Sequence, residues 1–188
     1  MSVKISYYDL ATNKELGTAE SNPETGEYTI VLPAGKKYSY RAEEKGFYAV
    51  SNFIDLLELK IYTEKTVDLY LVPFEKGENF RLNNIFFDYS KATLQPESYP
   101  ELDRLFDLLS KNSKLNIEIG GHTDDDGAAD YNLTLSQQRA EAVVQYLVAK
   151  GLPASRFKAV GYGKNKPLVP NDSPENRAQN RRVEFTIL

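Results

Sequence analysis

The hydrophobic pattern changes its period once along the chain, near residue 74, and this change limits the fold to two differently built parts. Residues 1–73 alternate apolar and polar side chains between turn residues, as short antiparallel strands do. Beyond residue 80, brief apolar runs alternate with longer stretches of helical period. We therefore expect an α+β chain with a domain at 1–73, a linker at 74–80 and a second domain at 81–188.

The first domain is predicted to be a small antiparallel β-sandwich with few helix signals. Strands are expected at 2–9, 28–32, 38–42, 47–54 and 67–71, separated by turns rich in proline and glycine. The turn and strand pattern of residues 22–28 and 32–38 resembles the carboxypeptidase-regulatory-like sandwich modules. The many tyrosines here are better explained as strand residues than as a sugar-binding face, because tyrosine combines an apolar body with a polar tip.

The second domain is predicted to be a βαβαβ α/β sandwich with a mixed sheet. Strands are expected at 85–88, 115–119, 156–163 and 182–187, with a short helix before the last of them. One helix should span 98–111 with Ser98 as its cap, and another should begin between 130 and 136 and end at Lys150, followed by Gly151. Helices that cross over the strands of one sheet give this architecture.

One acid and one base in the second domain are candidates for ligand binding. Asp124 follows a predicted strand, and Arg139 lies near the start of a predicted helix, only 15 positions later (139 − 124). A connection this short brings both to one edge of a sheet. A carboxylate and a planar guanidinium together match a ligand that carries an ammonium and a carboxylate on one carbon. The alternative from spacing alone is an ion pair between the two side chains.

Composition excludes several classes of function. A net charge of −4 and a pI of about 5.2 disfavour nonspecific binding to nucleic acid or to anionic lipid, which needs a basic surface. No apolar run is long enough to span a bilayer, and no leader pattern is present. The chain begins directly with a strand pattern, so we expect it to be a piece of a longer precursor.

Other chemistry-bearing residues favour structural explanations. The three acids 124–126 lack the alternating spacing and the distal glutamate of a helix-loop-helix calcium loop, which favours a solvated turn. His122 is the only histidine, and we expect it to be held by hydrogen bonds rather than to act in catalysis or metal binding. We expect no cofactor and no metal.

Several separated motifs in the second domain occur in an order that points to one family. They are Ile85-Phe86-Phe87-Asp88, Gly121-His122-Thr123-Asp124, Tyr131-Asn132, Leu135-Ser136 with Arg139-Ala140, Gly161-Tyr162-Gly163, and Asn180-Arg181-Arg182-Val183-Glu184. Together they resemble the OmpA-like C-terminal domain, a peptidoglycan-binding module of outer-membrane proteins, peptidoglycan-associated lipoproteins and flagellar stator proteins.

The resemblance implies a binding protein and not an enzyme. Its ligand would be the meso-diaminopimelate of the peptidoglycan stem peptide, held chiefly by Asp124 and Arg139. The same resemblance assigns supporting positions to Asp88, Thr123, Asn132, Leu135 and Arg181. It further implies a periplasmic, outer-membrane-associated protein of a Gram-negative envelope that is tethered to the cell wall.

Two alternative functions remain open at this stage. A cell-wall hydrolase would need a nucleophile, an acid–base pair or a bound metal in a cleft, and no convincing set is present. A structural envelope adaptor would use the β-sandwich to dock a protein partner. The sequence does not identify what the first domain binds.

Overall fold

The protein, seen in a computed structural model that describes residues 2–44, 46–48 and 50–188, forms two compact units. The N-terminal unit is Met1–Phe74 and the C-terminal unit is Glu75–Leu188. The first contains antiparallel strands, and the second combines three helices with a mixed sheet. The predicted α+β fold class is therefore confirmed.

The N-terminal unit contains one larger sheet and one short ladder. Its strands are β1 (Lys4–Asp9), β2 (Glu15–Glu20), β3 (Lys37–Glu43), β4 (Phe47–Tyr48), β5 (Val50–Asp55) and β6 (Val72–Pro73). The larger sheet is antiparallel with the order β2-β1-β3-β5, and β4 pairs with β6 in a separate two-stranded ladder. Alternation along β3 buries Tyr38, Tyr40 and Ala42 on one face, as period two requires.

Two strands predicted for this unit are wrong. Residues 28–32 and 67–71 make no ladder, although the Tyr28 hydroxyl donates a hydrogen bond to the Val67 carbonyl at 2.8 Å. Both sides of β3 are already paired, with β1 and with β5, which leaves no place beside it for the 28–32 segment. The predicted strand 47–54 is divided into β4 and β5, and Ala49 between them lies outside the described residues.

The C-terminal unit is built on a four-stranded mixed sheet. Its elements are β7 (Asn79–Leu82), α1 (Tyr99–Lys111), β8 (Ile117–His122), α2 (Ala129–Ala149), β9 (Phe157–Gly163), α3 (Pro174–Asn180) and β10 (Val183–Ile187). The strand order is β7-β10-β8-β9, with β8 and β9 parallel and the other pairs antiparallel. β8 is therefore an inner strand, and its C-terminal end meets that of β9 at one edge of the sheet.

The predicted first strand of this unit, at 85–88, is wrong. Only Phe87 there makes an isolated bridge, to Leu94, and the strand that pairs with β10 is β7, upstream. The Phe86 main chain is bonded to the Ser98 hydroxyl at 2.8 and 3.0 Å, and its carbonyl also accepts a hydrogen bond from the Gln95 amide at 2.9 Å across that bridge. Because its hydroxyl is bonded to Phe86, Ser98 does not cap α1 with its side chain, although the helix begins where predicted.

Helix α2 lies unusually close to the sheet because glycines line the contact. A Cβ atom at Gly121 would overlap the Ser136 carbonyl, and one at Gly161 would overlap the Gln137 main chain. The Ser136 hydroxyl accepts a hydrogen bond from the Gly163 amide at 2.8 Å, and the Gln137 side chain accepts one from the Gly161 amide at 2.7 Å. This close packing fixes the height of α2 above β8 and β9.

Buried Arg156 joins the end of α1 to the start of β8. Its guanidinium donates to the carbonyls of Leu109, Asn112 and Leu115 at 2.8–3.0 Å. A planar fork with several donors suits this arrangement, because the last carbonyls of a helix have no partner within the helix. Arg156 therefore serves the fold.

Candidate ligand-binding site

The candidate site lies at the edge of the sheet where β8 ends and α2 begins. The chain is held there by two main-chain hydrogen bonds, from the His122 amide to the Arg182 carbonyl at 2.9 Å and from the Thr123 amide to the Gly163 carbonyl at 3.0 Å. Thr123 and Asp124 therefore leave the sheet in a fixed direction, beside the ends of β9 and β10. Both are buried, with exposed fractions of 5% and 7%.

Asp124 forms an ion pair with Arg181, not with Arg139. Its Oδ2 atom lies 2.6 Å from Nη1 of Arg181, and Oδ1 accepts a hydrogen bond from the Asp126 amide at 3.3 Å. The Asp124 side chain is only 10% exposed, whereas that of Arg181 is 49% exposed. The Asp124 carboxylate is thus buried, whereas the Arg181 side chain is half exposed to solvent. The predicted alternative, a direct pair between Asp124 and Arg139, is wrong.

The loop after Asp124 is supported by neighbouring polar side chains. The Asn132 side-chain amide donates a hydrogen bond to the Asp126 carbonyl at 2.7 Å, and the Thr123 hydroxyl donates one to the Asp124 carbonyl at 2.9 Å. Asp125 and Asp126 point to solvent, in agreement with a solvated turn. Thr123 and Asn132 therefore shape the main chain that presents Asp124.

Three of the predicted site residues share one face of α2. Asn132, Leu135 and Arg139 occupy helical positions i, i+3 and i+7, and Leu135 is buried with 8% of its surface exposed. Arg139 donates from Nε to the Lys91 carbonyl at 3.0 Å and lies over the Phe87 ring at 5.0 Å. These contacts direct its side chain toward the loop that carries Asp88.

The charges of Arg139, Asp124 and Arg181 act on one another although Arg139 touches neither of the others directly. Burial lowers the pKa of Arg139, and Arg181 acts in the same direction, while Tyr131 and Asp124 oppose them. Two guanidinium groups thus lie within electrostatic range of one buried carboxylate. A ligand that carries both signs of charge on adjacent groups suits such a site.

Asp88 lies at the rim of the site and is less constrained than Asp124. Its side chain is 42% exposed, with Lys91 Nζ at 3.9 Å and a long hydrogen bond of 3.4 Å from Gln95. The structure places Asp88 on the same loop as Lys91, whose carbonyl binds Arg139. The structure thus brings Thr123, Asp124, Asn132 and Arg181 into contact. Leu135 and Arg139 lie on the same face of α2 as Asn132, and Asp88 lies on the loop that Arg139 contacts.

Several further residues support this site, although the sequence did not predict a role for them. Phe87 and the Lys91 carbonyl hold Arg139, and the Tyr131 hydroxyl donates to the Ser90 carbonyl at 3.4 Å. Phe87 and Tyr131 were within recognised motifs, but their contacts cross more than 40 positions of sequence. No local pattern could have revealed these contacts.

His122 is buried directly beneath the site and pairs with Glu184. Its Nε2 atom lies 2.9 Å from Oε1 of Glu184, its ring stacks on Tyr162 at 5.0 Å, and Nδ1 has no hydrogen-bond partner among the described residues. Burial alone would raise the pKa of Glu184, but His122, Asn79 and Arg182 outweigh it and lower the value to about 2. His122 and Glu184 therefore form a buried support for the end of β8.

The described residues offer no evidence of two other kinds of site. They contain no group of three or more histidine and carboxylate side chains placed to hold a metal ion. Within the same residues, no helix has both the length and the apolar character needed to cross a membrane.

Known proteins are similar to this chain over the region that contains the candidate site. The model of the OmpA family matches residues 86–181. Outer membrane porin F of Pseudomonas fluorescens is 41% identical over 104 residues, which cover 55% of this chain and 32% of the porin. The "Probable lipoprotein YiaD" of Escherichia coli (strain K12) is 36% identical over 141 residues, 73% of this chain and 64% of the lipoprotein. The chain thus spans less than two thirds of either relative.

A solved structure shows the same fold in the C-terminal unit. The peptidoglycan-associated lipoprotein from Burkholderia pseudomallei is 33% identical, with a TM-score of 0.52. The match covers 55% of this chain and 88% of that one. The resemblance of the N-terminal unit to carboxypeptidase-regulatory-like modules remains a prediction.

Proposed function

Because the chain belongs to the OmpA family, we propose that its C-terminal unit binds peptidoglycan without making or breaking a covalent bond. The name of the similar lipoprotein from Burkholderia pseudomallei, which describes that protein as peptidoglycan-associated, supports this proposal. In its native setting the chain would tether the outer membrane, or a complex of the envelope, to the cell wall from the periplasm. This role needs no cofactor.

The proposed ligand group is meso-diaminopimelate in the stem peptide. Its free end carries an ammonium and a carboxylate on one carbon, and the site offers one buried carboxylate with two guanidinium groups nearby. The buried, fixed position of Asp124 is the observation that carries the proposal. Asp124 would receive the ammonium, and Arg139 would receive the carboxylate.

Arg181 would share in binding because it is the more exposed partner of the pair. Asp124 is already neutralised by Arg181, so an incoming ammonium must share or replace that guanidinium. Arg181 is half exposed and can turn toward the ligand carboxylate once the ligand ammonium replaces it beside Asp124, so that the buried carboxylate stays paired. Thr123, Asn132, Leu135 and Asp88 would shape the pocket around this exchange.

Calorimetric titration with meso-diaminopimelate and with the stem peptide that contains it tests this proposal, and the same peptide with lysine at that position is the matched ligand control. Within the peptide, lysine supplies the side-chain ammonium but no carboxylate beside it, so the lysine peptide should bind more weakly if Arg139 and Arg181 contact that carboxylate. Folded protein that shows no heat at millimolar meso-diaminopimelate would contradict the proposal.

Asp124→Asn and Arg139→Gln should each remove binding to insoluble peptidoglycan while the fold is retained. Truncating one side of a buried charge contact costs about 2–5 kcal/mol of affinity. Asp125→Asn is the matched control, because Asp125 is the adjacent acid but points to solvent. A sedimentation assay with purified sacculi measures the effect, and an Asp124→Asn variant that sediments like the parent would overturn the assignment.

The same sacculi separate binding from hydrolysis. Incubation with the parent protein should leave the soluble fraction free of muropeptide fragments, because the proposed site holds a ligand and contains no activated nucleophile. Release of fragments that disappears with Asp124→Asn would instead indicate an enzyme.

A structural adaptor is the second candidate function, and one observation favours it. The N-terminal unit exposes large apolar side chains at Val31, Ile61, Tyr62 and Tyr70, each more than 70% exposed. Such side chains are suited to contact with another envelope protein. Association with an envelope partner that survives both Asp124→Asn and Arg139→Gln would support this role.

A further inference from the structure

The loop between Asp88 and Thr93, here called the rim loop, is a rigid turn beside the proposed diaminopimelate pocket. Its ends are joined by the Phe87–Leu94 bridge and by a hydrogen bond from the Asp88 amide to the Thr93 carbonyl at 3.1 Å. Within it, Ser90 has a φ of +53°, a conformation that residues other than glycine seldom adopt. Such a conformation persists only where surrounding contacts hold it.

Helix α2 supplies the contacts that hold the rim loop. The Tyr131 hydroxyl donates to the Ser90 carbonyl at 3.4 Å, and Arg139 donates to the Lys91 carbonyl at 3.0 Å. Arg139 is also the residue proposed to bind the ligand carboxylate. The rim loop is therefore joined to the helix that carries Arg139 and lies beside the proposed pocket.

The rim loop displays an aromatic ring that the fold does not use. Tyr89 is 94% exposed, and Tyr131, whose hydroxyl contacts the neighbouring residue, is 50% exposed. On either side of Tyr89 along the loop lie Asp88 and Lys91, whose side chains are 42% and 66% exposed. A free aromatic face thus lies beside an acceptor and a donor that also face solvent.

This combination suits a sugar ring better than an apolar protein surface. A pyranose presents a face of C–H groups that packs on an aromatic ring and a rim of hydroxyls that hydrogen-bond to charged side chains. In the polymer proposed as ligand, every stem peptide is attached to a glycan strand. We propose that Tyr89 stacks on a pyranose of the glycan strand that carries the bound stem peptide. This inference rests on the proposed function and adds a saccharide subsite to it.

Calorimetry of the full chain with three ligands tests the inference. The ligands are meso-diaminopimelate, the sugar-free stem peptide, and the same peptide attached to its disaccharide. We expect the parent protein to bind the disaccharide form between about twofold and tenfold more tightly than the free peptide, the gain that one aromatic contact confers. Tyr89→Ala should remove this gain and leave the affinity for the free peptide unchanged.

Two further variants act as controls. Tyr89→Phe keeps the ring without its hydroxyl and should preserve the gain, because stacking depends on the ring face. Tyr70→Ala removes an exposed tyrosine from the N-terminal unit, with 73% of its surface exposed, and should change nothing. Chemical shifts of the amides of residues 86–95 show that the rim loop retains its conformation in each variant.

The outcomes separate this inference from the proposed function. If the disaccharide gives no gain in the parent, or if Tyr89→Ala keeps the gain, the saccharide subsite is wrong while peptide binding stands. If Tyr89→Ala weakens the free peptide and the disaccharide form equally, Tyr89 contacts the peptide and the inference is overturned. If the parent binds neither meso-diaminopimelate nor the free peptide, the proposed function fails; a disaccharide gain that Tyr89→Ala removes would still support the subsite.

Discussion

Replacing Glu184 by glutamine should lower stability at neutral pH and should remove part of the acid sensitivity of the C-terminal unit. Glu184 lies 2.9 Å from His122 and 3.0 Å from Arg182, and its side chain is only 14% exposed. Burial alone would raise the pKa of Glu184, but His122, Asn79 and Arg182 outweigh it and lower the pKa from 4.5 to about 2. Glutamine keeps the shape of the side chain and removes its charge.

The size of the effect follows from that difference in pKa. Each unit of pKa difference between the folded and unfolded states corresponds to about 1.4 kcal/mol. A pKa of Glu184 that falls from 4.5 to about 2 on folding therefore contributes about 3 kcal/mol to the free energy of unfolding. Because the folded value is the lower one, the contribution is fully present above about pH 4.5. It is lost as the pH falls toward 2, where the carboxylate takes up a proton in the folded state as well.

Urea unfolding of the intact chain at a series of pH values measures this contribution. The NMR signals of the amides in α2 and β8 report the unfolding of the C-terminal unit. The difference between parent and Glu184→Gln should be about 3 kcal/mol at pH 7 and should shrink steadily below pH 4.5. Glu97→Gln is the matched control, because Glu97 is an exposed glutamate in the same unit. Parallel loss of stability in parent and Glu184→Gln between pH 5 and pH 2 would refute the reasoning.

Two substitutions test the packing of the same unit. Gly121→Ala should reduce the free energy of unfolding by at least about 2 kcal/mol, because the new methyl group would lie 2.2 Å from the Ser136 carbonyl oxygen. Gly120→Ala should cost less, because its nearest neighbour is a side-chain atom at 3.1 Å; urea titration compares the two variants, and equal stabilities would contradict the close approach of α2. Arg156→Lys keeps the charge but replaces the separate Nε and Nη2 donors by a single nitrogen, which cannot occupy both positions, so the unfolding temperature should fall by several degrees, reflecting about 2 kcal/mol. An unchanged temperature would show that these bonds add nothing.

The elements with a long, regular period could be predicted from the sequence. Helix α2 has an apolar stripe over several turns and a glycine after its end, and Gly151 indeed has a φ of +112°. The short strands were harder, because a run such as 85–88 is equally apolar in a strand or in a turn. There the side chain of Ser98, 12 positions away, is bonded to the Phe86 main chain. Strand β7 was not predicted for a different reason: the residues before Phe80 are polar and show no apolar alternation.

The composition of the candidate site followed from the motifs, but its pairing did not. Short separation in sequence brings Asp124 and the start of α2 to one edge of the sheet. Arg181 is 57 positions from Asp124, and Glu184 is 62 positions from His122. Only the order of strands, which places β10 beside β8, brings these partners together. Contacts of this kind depend on tertiary structure that no local pattern encodes.

The inner position of β8 affects how the unit would resist a mechanical load. Asp124 follows β8, so tension applied to a ligand held there enters the sheet along this strand. β8 is bonded on one side to β10 and on the other to β9, and a pull along its axis must shear both ladders at once. An edge strand would instead be peeled away one bond at a time. If the proposed ligand is held at Asp124, this placement at the end of an inner strand would give the tether a higher rupture force than an edge strand would.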